Sequence, residues 1–229
     1  MIVPIVAEED WLRMLRSRPE WERPASSMLV IAPHPDDETL ATGGLISTMR
    51  SEGRDVVVAA VTDGENAYME NEGLGEVREA EQRNALKTLS VSPSHTIRLR
   101  FPDSDVAAYE PALAEELASL AKSSDHIIAP WPADYHPDHE ACGRAAQSAA
   151  RQTGAKLTFY FFWTWHRGTI DVLKTQRLRR FPLSPVAMRA KADALACHVS
   201  QLHHQTGEPI LTERLLAPAR RPFEVFLDA

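Results

Sequence analysis

The sequence predicts a layered α/β domain in which a mostly parallel sheet is flanked by helices. Continuously apolar segments such as "RDVVVAAVT" (residues 54–62) are typical of strands buried on both faces of a parallel sheet. These segments alternate along the chain with stretches whose apolar residues recur at helical spacing. Repeated strand–helix alternation gives right-handed βαβ units and one layered domain, for which 229 residues suffice.

Hydrophobic periodicity and turn residues delimit the elements in the first half of the chain. Residues 8–17 have the pattern of a short amphipathic helix. Residues 26–33 form an apolar strand, and Gly53 ends the helix that begins at residue 37. After the strand at 54–62, apolar residues near helical spacing predict a helix over 76–90.

The second half continues the alternation of strands and helices. Residues 95–101 alternate between apolar and polar side chains, as a strand does, and a proline begins the helix at 111–123. A short strand follows at 125–130, and the segment at 136–154 runs from a loop into a helix ended by a glycine. The remaining elements are a strand at 156–165, a helix at 184–202 and a strand at 222–227.

Composition and charge argue against several classes of partner. A net charge of −7 and a pI near 5.7 disfavour nucleic acid and anionic membrane surfaces. No segment reaches the roughly 20 apolar residues that span a bilayer, and "MIVPIVAEEDW" lacks the basic start of a signal peptide. We therefore expect a cytoplasmic protein without a disulfide framework, since only two cysteines occur. Homo-oligomerisation stays open.

Two polar clusters follow predicted strands. "PHPDDE" (residues 33–38) comes after the first strand, and "WPADYHPDHE" (residues 131–140) comes after the fourth. Ligands of open α/β sheets bind beyond the carboxyl ends of the strands, so both clusters are expected at one edge of the sheet. Carboxylates packed together repel one another, and a bound cation would compensate them.

The two clusters contain the ligands of a catalytic zinc site. Such a site takes three protein ligands and leaves one position for water. His34 and Asp37 are three residues apart on a strand-to-helix turn, and His139 can supply the third ligand from the neighbouring strand end. Imidazole together with carboxylate favours Zn²⁺, or another divalent transition metal, over Ca²⁺ or Mg²⁺.

Neighbouring residues would supply the catalytic groups. Asp36 lies beside the expected ligands and is placed to take a proton from a metal-bound water. His136, if protonated, would stabilise an oxyanion or protonate a leaving amine. Asp138 would orient that imidazole and favour its charged form. The alternative for one motif alone is turn chemistry with Asp36 as a helix cap, but two motifs at two strand ends favour a metal site.

The same motifs carry a family resemblance. "APHPDDE", then "HPDH" about a hundred residues later, resembles the PIG-L/LmbE-like zinc-dependent N-acetylglucosaminyl deacetylases. "TDGE" (62–65), "REAEQRNALKTLSV" (78–91) and "ALACHVSQL" resemble further segments of that family. The resemblance covers a domain at 27–229 and leaves residues 1–26 as an N-terminal extension with its short helix. It implies a Rossmann-like fold.

The resemblance also implies roles for individual residues. His34, Asp37 and His139 correspond to the zinc ligands, Asp36 to the base, and His136 with Asp138 behind it to the electrostatic partner. Arg78 corresponds to a substrate-contacting arginine. The alternative for Arg78 is a surface arginine paired with Glu79 or Glu81. Tyr135 is a candidate hydrogen-bond donor to substrate, or it packs against Trp131.

The expected activity is removal of an acetyl group from an N-acetylated amino sugar or its conjugate, with Asp36 activating the metal-bound water. This is hydrolysis of a linear amide, and the partner is a small-molecule substrate. Hydrolysis of another amide or ester would use the same site. A non-catalytic metal-binding module is the other alternative, but a structural zinc normally has a fourth protein ligand. The acidic segment at 63–76 borders the expected pocket and leaves the substrate open.

Overall fold

One β-sheet runs through the computed structural model of the protein, which describes residues 3–68, 72–203 and 207–229. Across the sheet, the first five strands pair in parallel, and the last strand pairs antiparallel to both of its neighbours. The strands of this sheet are β1 (Met28–Ala32), β2 (Val56–Ala60), β3 (Thr96–Arg98), β4 (His126–Pro130), β5 (Lys156–Tyr160), β6 (Arg179–Pro182) and β7 (Phe223–Asp228). Their order is β3–β2–β1–β4–β5–β7–β6. The predicted mostly parallel α/β sheet is confirmed.

Helices cover both faces of the sheet. The helices within the described residues are α1 (Glu8–Leu15), α2 (Asp37–Ser51), α3 (Leu74–Thr88), α4 (Glu110–Ala121), α5 (Pro137–Thr153), α6 (Thr164–Arg167), α7 (Ile170–Lys174), α8 (Pro185–Leu195), α9 (Val199–Leu202) and α10 (Glu213–Leu216). Leu29 and Ile31 of β1 pack with α1, α4 and α5, whereas Met28 and Val30 pack with α2, α3 and α8. Because β1 is buried on both sides, it is apolar throughout. No helix in these ranges is long and apolar enough to cross a membrane.

Three elements differ from the sequence prediction. The strand expected at 156–165 ends at Tyr160, because the backbone N–H groups that follow bond to a side chain instead of a neighbouring strand. The single helix expected at 184–202 is divided into α8 and α9 at His198, whose ψ of 58° is not helical. No strand was predicted from the sequence between residues 165 and 184, but β6 lies there, at the edge of the sheet.

The N-terminal segment packs on the same core as the rest of the chain. Trp11 of α1 is buried and donates from its indole Nε1 to the carbonyl oxygen of Trp165 at 3.0 Å. Glu8 forms an ion pair with the buried Arg221. The boundary predicted after residue 26 stays a prediction, and residues on its N-terminal side contribute directly to the folded core.

A buried ion pair joins α2, α8 and β7. Lys191 Nζ lies 2.7 Å from Glu224 Oε1, and both residues are 3% exposed. The Glu224 carboxylate also accepts hydrogen bonds from the backbone N–H groups of Gly44 and Leu45 in α2. A side chain at Gly44 would place its Cβ 2.4 Å from Leu183, so glycine is needed for this close packing.

We expect Glu224→Gln to lower the free energy of unfolding by about 3–5 kcal/mol, because it leaves the buried Lys191 ammonium without its counter-charge. Denaturant unfolding of wild type and variant measures the change. Asp171→Asn removes an exposed partner of Lys174 and serves as the matched control, with an expected loss of about 1 kcal/mol or less. Equal losses in the two variants would contradict this account of the buried pair.

Candidate metal and active site

The two polar clusters meet at the point where the strand order reverses. β1 lies between β2 and β4, so the loops that follow β1 and β4 leave the same edge of the sheet in diverging directions. The first loop carries His34 and Asp36 and runs into α2, which begins at Asp37. The second carries His136 and runs into α5, whose first turn contains His139. This is the usual position of a ligand site in an open α/β sheet.

His34, Asp37 and His139 converge with one ligand atom each. Asp37 Oδ2 lies 3.1 Å from His34 Nδ1 and 3.1 Å from His139 Nε2, and the three ligand atoms lie within 4.8 Å of one another. His139 is fully buried, and its Nε2 makes no well-aligned hydrogen bond, although the Asp37 carboxylate lies within ion-pair distance. A buried nitrogen without a hydrogen bond is costly, and a metal ion held by both ligand atoms would satisfy it. The donor set fits Zn²⁺ or another divalent transition metal.

Each of these histidines is held from behind by a second carboxylate. His139 Nδ1 lies 2.9 Å from Asp134 Oδ2, and His34 Nε2 lies 3.1 Å from Asp138 Oδ2. Metal-binding histidines commonly donate their other ring N–H to a carboxylate, which fixes the tautomer and directs the free nitrogen at the ion. The structure therefore supplies both the converging nitrogens and the groups that orient them.

The contacts of Asp138 correct one sequence prediction. Asp138 was expected to orient His136, but the Asp138 carboxylate contacts His34 and accepts the backbone N–H groups of Ser104 and Val106. Its charge raises the pKa of His136, as expected, but other effects outweigh it. The bond between Asp138 and His136 runs from the backbone N–H of Asp138 to His136 Nδ1 at 3.3 Å. Burial, together with the charges of His139 and His34, lowers the pKa of His136 to about 3. His136 is therefore neutral near pH 7.

A second group of possible metal ligands shares His34. His136 and Asp138 also bring one ligand atom each within 4.8 Å of His34. The oxygens of Asp138 already accept the two backbone N–H groups, and His136 Nδ1 accepts a third. The group with His139 is the better candidate, because the fully buried His139 Nε2 makes no hydrogen bond and faces only another member of the group, Asp37.

Asp36 lies beside the ligand group in a strained backbone conformation. Its φ of 130° is in the region that favours glycine, and such residues cost about 1–3 kcal/mol and cluster at functional sites. Asp36 occupies the N-cap position of α2, but its side chain makes no capping hydrogen bond. Burial raises the pKa of Asp36 to about 7, although the charge of Arg78 opposes the rise. A carboxyl group with this pKa can take up and release a proton near neutral pH.

Arg78 and Thr62 hold the loop that carries Asp36. Arg78 Nη2 donates to Pro35 O at 2.8 Å and lies 3.2 Å from Asp36 Oδ2, and Thr62 Oγ1 donates to Pro33 O at 2.8 Å. Arg78 Nη1 donates to the carbonyl oxygen of Gly64, whose φ is 66°. A Cβ at Gly64 would lie 2.3 Å from the Arg78 guanidinium, so glycine is required here. Arg78 is 4% exposed and is not the surface arginine of the alternative interpretation.

Glu38 belongs to a buried network behind this loop. Its carboxylate accepts hydrogen bonds from Gln82 Nε2 and Thr39 Oγ1 at 2.9 Å each, and from the backbone N–H of Asp36 at 3.4 Å. Burial raises the pKa of Glu38, while the bonds from Gln82 and Thr39 oppose the rise. Glu38 thus supports the Asp36 loop from within the core.

The carboxylates around His34 and His139 favour positive charge at the ligand group. Burial would lower the pKa of His139, but the carboxylates of Asp37 and Asp134 raise it to about 9. Burial would also lower the pKa of His34, but the carboxylates of Asp103, Asp138 and Asp37 raise it well above its ordinary value. The surrounding carboxylates thus favour positive charge at both imidazoles. A divalent cation would supply that charge.

A cavity of about 320 Å³ opens in front of these residues, in the size range of small-molecule sites. Tyr135 is 37% exposed and is not among the described lining residues, so its predicted contact with substrate stays a prediction. Asn66 and Ala67 place part of the 63–76 segment at the cavity, whereas residues 69–71 of that segment lie outside the described residues. The wall also includes His34, Asp36, Asp37, Arg78, Asp103, His136, Phe162, Trp163, Arg167 and Gln201.

Sequence reasoning missed two carboxylates of the site. Asp103 Oδ1 lies 3.3 Å from His34 Nε2, and its position just after β3 is the same strand-end signal that identified the other clusters. Asp134 lies within the second cluster, but nothing in its spacing indicates that it accepts hydrogen bonds from Phe162, Trp163 and Thr164. That role depends on residues 162–164, which follow β5 and are distant from Asp134 in sequence.

Comparison with known proteins agrees with this geometry. The family described as PIG-L, GlcNAc-PI de-N-acetylase, matches residues 29–150, which include both polar clusters and more than half of the chain. The chain belongs to the PIG-L family. Outside this match lie α6 to α10, of which α6 supplies Arg167 and α9 supplies Gln201 to the cavity wall, and Trp163, which immediately precedes α6.

Individual PIG-L relatives resemble the chain over part of their length. It is 34% identical over 131 residues to a probable N-acetyl-α-D-glucosaminyl L-malate deacetylase of Bacillus subtilis, covering 52% of this chain and 58% of the relative. It is 30% identical over 169 residues to a 1D-myo-inositol 2-acetamido-2-deoxy-α-D-glucopyranoside deacetylase of Mycobacterium, covering 60% of this chain and 54% of the relative. The matches thus span little more than half of these relatives.

A solved structure shows the same fold over most of the chain. The crystal structure of the A40926 pseudoaglycone deacetylase superimposes with a TM-score of 0.71 and covers 90% of this chain and 97% of that one. The sequence identity is 21%, so this likeness concerns the fold alone. It confirms the predicted Rossmann-like layered architecture.

We expect Asp134→Ala to weaken the binding of Zn²⁺ by about 10–100-fold, because it removes the acceptor that orients His139. Competition with a chromophoric chelator measures the affinity, and near-UV circular dichroism verifies folding. Asp134→Asn is the matched variant, since its amide oxygen can still accept the His139 N–H, and its loss should be smaller. Unchanged affinity in a folded Asp134→Ala protein would contradict the role assigned to Asp134.

Proposed function

We propose that the chain is a zinc-dependent N-deacetylase that hydrolyses the acetamido group of an N-acetylated amino sugar or its conjugate. The observation that carries the proposal is the convergence of buried ligand atoms, with His139 Nε2 3.1 Å from Asp37 Oδ2 and not otherwise hydrogen-bonded. His34 completes this group, and a second buried carboxylate, Asp36, lies next to it on the cavity wall. Three protein ligands beside a potential base are the residues that a hydrolytic metal site would need.

The family relationship supports the reaction type. The relatives in Bacillus subtilis and Mycobacterium are both named as deacetylases of glucosamine conjugates, one with malate and one with inositol. Their names differ in the group attached to the sugar and agree in the acetamido group. The shared part of the chain contains the ligand group and Asp36, whereas much of the cavity wall lies outside it. A reaction common to the relatives agrees with a ligand group inside the matched segment, and a variable substrate agrees with a cavity wall that lies partly outside it.

His34, Asp37 and His139 would hold the ion, and Asp36 would act as the base. The ion would serve as a Lewis acid that polarises the acetyl carbonyl and lowers the pKa of a water molecule. Asp36 would take the proton of the attacking water at its carboxylate. Its raised pKa, about 7, suits a group that accepts a proton and gives it up again within one turnover.

His136 would act as a neutral hydrogen-bond donor. Its Nδ1 accepts the backbone N–H of Asp138, which assigns the ring proton to Nε2. From the cavity wall, that N–H can donate to the oxyanion that develops as water adds to the carbonyl. A neutral imidazole is a poor acid, so the proton for the leaving amine comes from Asp36. The C–N bond then breaks to give the free amine and acetate.

Arg78 would act chiefly by positioning Asp36. It lines the cavity, but it already donates to Pro35 and Gly64 and pairs with the Asp36 carboxylate. The contact with substrate implied by the family resemblance would be made alongside these bonds. Loss of the Arg78 guanidinium would release the strained Asp36 loop as well as any substrate contact.

We expect Asp36→Asn to lower turnover by about 10²–10⁴-fold while the protein keeps its metal, because the variant lacks the base and retains the ligands. Release of free amine is measured on a panel of N-acetylated sugars, glycosides and nucleotide sugars with zinc-loaded enzyme. Metal content is determined on the same samples. Asp193→Asn, an exposed carboxylate of α8, is the control and should keep wild-type activity.

If the metal-loaded Asp36→Asn variant kept full turnover, the assignment of Asp36 as the base would be wrong. If the wild type with bound zinc released no amine from any compound of the panel, the proposed reaction would be wrong, and an ester or another amide would be the next substrate class to test.

A further inference from the structure

One cationic side chain on the cavity wall has no role in the proposed chemistry. Arg167 ends the short helix α6, which follows β5, and it lines the same cavity as Asp36 and His136. It lies outside the part of the chain that matches the PIG-L family. Its Nη1 donates to the carbonyl oxygen of Tyr135 at 2.7 Å, which uses one of the five N–H donors of a guanidinium.

The Arg167 guanidinium is held in place by an aromatic ring. It lies 4.1 Å from the centre of the Trp163 ring, and that ring is stacked on His136 with centroids 5.5 Å apart and an interplanar angle of 19°. Trp163 is therefore in contact with both His136 and Arg167 and is only 9% exposed. The ring supports the guanidinium and leaves little surface on which a sugar could stack.

Arg167 also lacks a counter-charge among the described residues. Arg78 pairs with Asp36, and Arg221 pairs with Glu8, whereas no carboxylate in the described part of the chain lies within ion-pair distance of Arg167. Its half-buried position lowers the pKa of Arg167, and the charge of Asp134 opposes this. The oxygens of Asp134 are already occupied by hydrogen bonds from His139 and from the backbone of 162–164.

We propose that Arg167 binds an anionic group, a carboxylate or a phosphate, on the part of the substrate remote from its acetamido group. A planar guanidinium fixed on a ring and without a carboxylate partner matches such a group in charge and geometry. The cavity wall also includes Asp36, Asp37 and Asp103, which would repel a negatively charged substituent, so Arg167 is the position on the described wall that suits one. This inference rests on the proposed deacetylase function and narrows its substrate to acidic conjugates of the amino sugar.

A purely structural role for Arg167 makes a different prediction. If its bond to the Tyr135 carbonyl only held the loop before α5, then replacing Arg167 would affect all substrates equally, through the position of His136. If Arg167 binds the anion, only the acidic substrate is affected. A matched pair of substrates separates the two roles.

The test compares the methyl and carboxymethyl glycosides of N-acetylglucosamine, which differ by one carboxylate, with a phosphorylated glycoside as a third arm. The kcat and KM values are measured for zinc-loaded wild type, Arg167→Met and Arg167→Lys. We expect the wild type to prefer an acidic glycoside by about tenfold or more in kcat/KM, chiefly through KM. Arg167→Met should abolish the preference by lowering kcat/KM for the acidic glycosides at least tenfold more than for the methyl glycoside, and Arg167→Lys should retain part of the preference. Arg189→Met, which removes an exposed charge of α8, is the control.

Binding is measured separately, so that failure of the proposed reaction does not obscure the result. Calorimetric titration of Asp36→Asn, with and without Arg167→Met, gives the affinity for each glycoside without turnover. Tighter binding of an acidic glycoside that depends on Arg167 supports the inference, even if no acetyl group is released. Equal affinity for acidic and neutral glycosides, no measurable binding of either, or an equal loss for both in Arg167→Met would overturn it.

Discussion

The carboxylate of Asp134 connects the parts of the site that come from distant segments of the chain. It orients His139 through Nδ1 and also accepts the backbone N–H groups of Phe162, Trp163 and Thr164. Those bonds end β5 and begin the turn that places Trp163 against His136. One buried side chain therefore fixes a prospective metal ligand and the wall of the substrate cavity in a single arrangement. Such a network is rigid only when every member has its partner.

Charge balance is the second constraint on the site. Asp36, Asp37 and Asp138 are all buried at one edge of the sheet, and buried charges need compensation. Arg78 compensates Asp36, while the histidines that face the other two carboxylates carry raised pKa values. A divalent ion would replace the protons on those histidines with a fixed charge at the same point. The strained conformation of Asp36 is maintained by the bonds to its loop from Arg78 and Thr62.

The features that were predicted correctly from the sequence are those that depend on local patterns of residues. Apolar runs identified the parallel strands, and the edge at which strand ends meet predicted that His34, Asp37 and His139 converge. The partner of Asp138 could not be predicted, because the choice between His34 and His136 depends on a three-dimensional arrangement that spacing does not encode. Arg167 was missed for a related reason. The segment at 156–165 has the composition of a strand, and only the bonds to Asp134 turn its end into the helix α6.

The site consists of two parts, one within the segment that matches the family and one in the elements that follow it. The segment that matches the family supplies the candidate ligand group and Asp36, and the elements after it supply part of the cavity wall. Under the proposed function, the first part would carry the reaction and the second would contribute to the choice of substrate.

The measurement that tests this account most directly is the metal content of the protein after equilibrium dialysis against Zn²⁺, for wild type and for His139→Gln. The account predicts one tightly bound ion per chain in the wild type and its loss in the variant, with the fold of both unchanged by circular dichroism. A wild-type protein that binds no ion, or a folded His139→Gln protein that binds it equally well, would contradict the account.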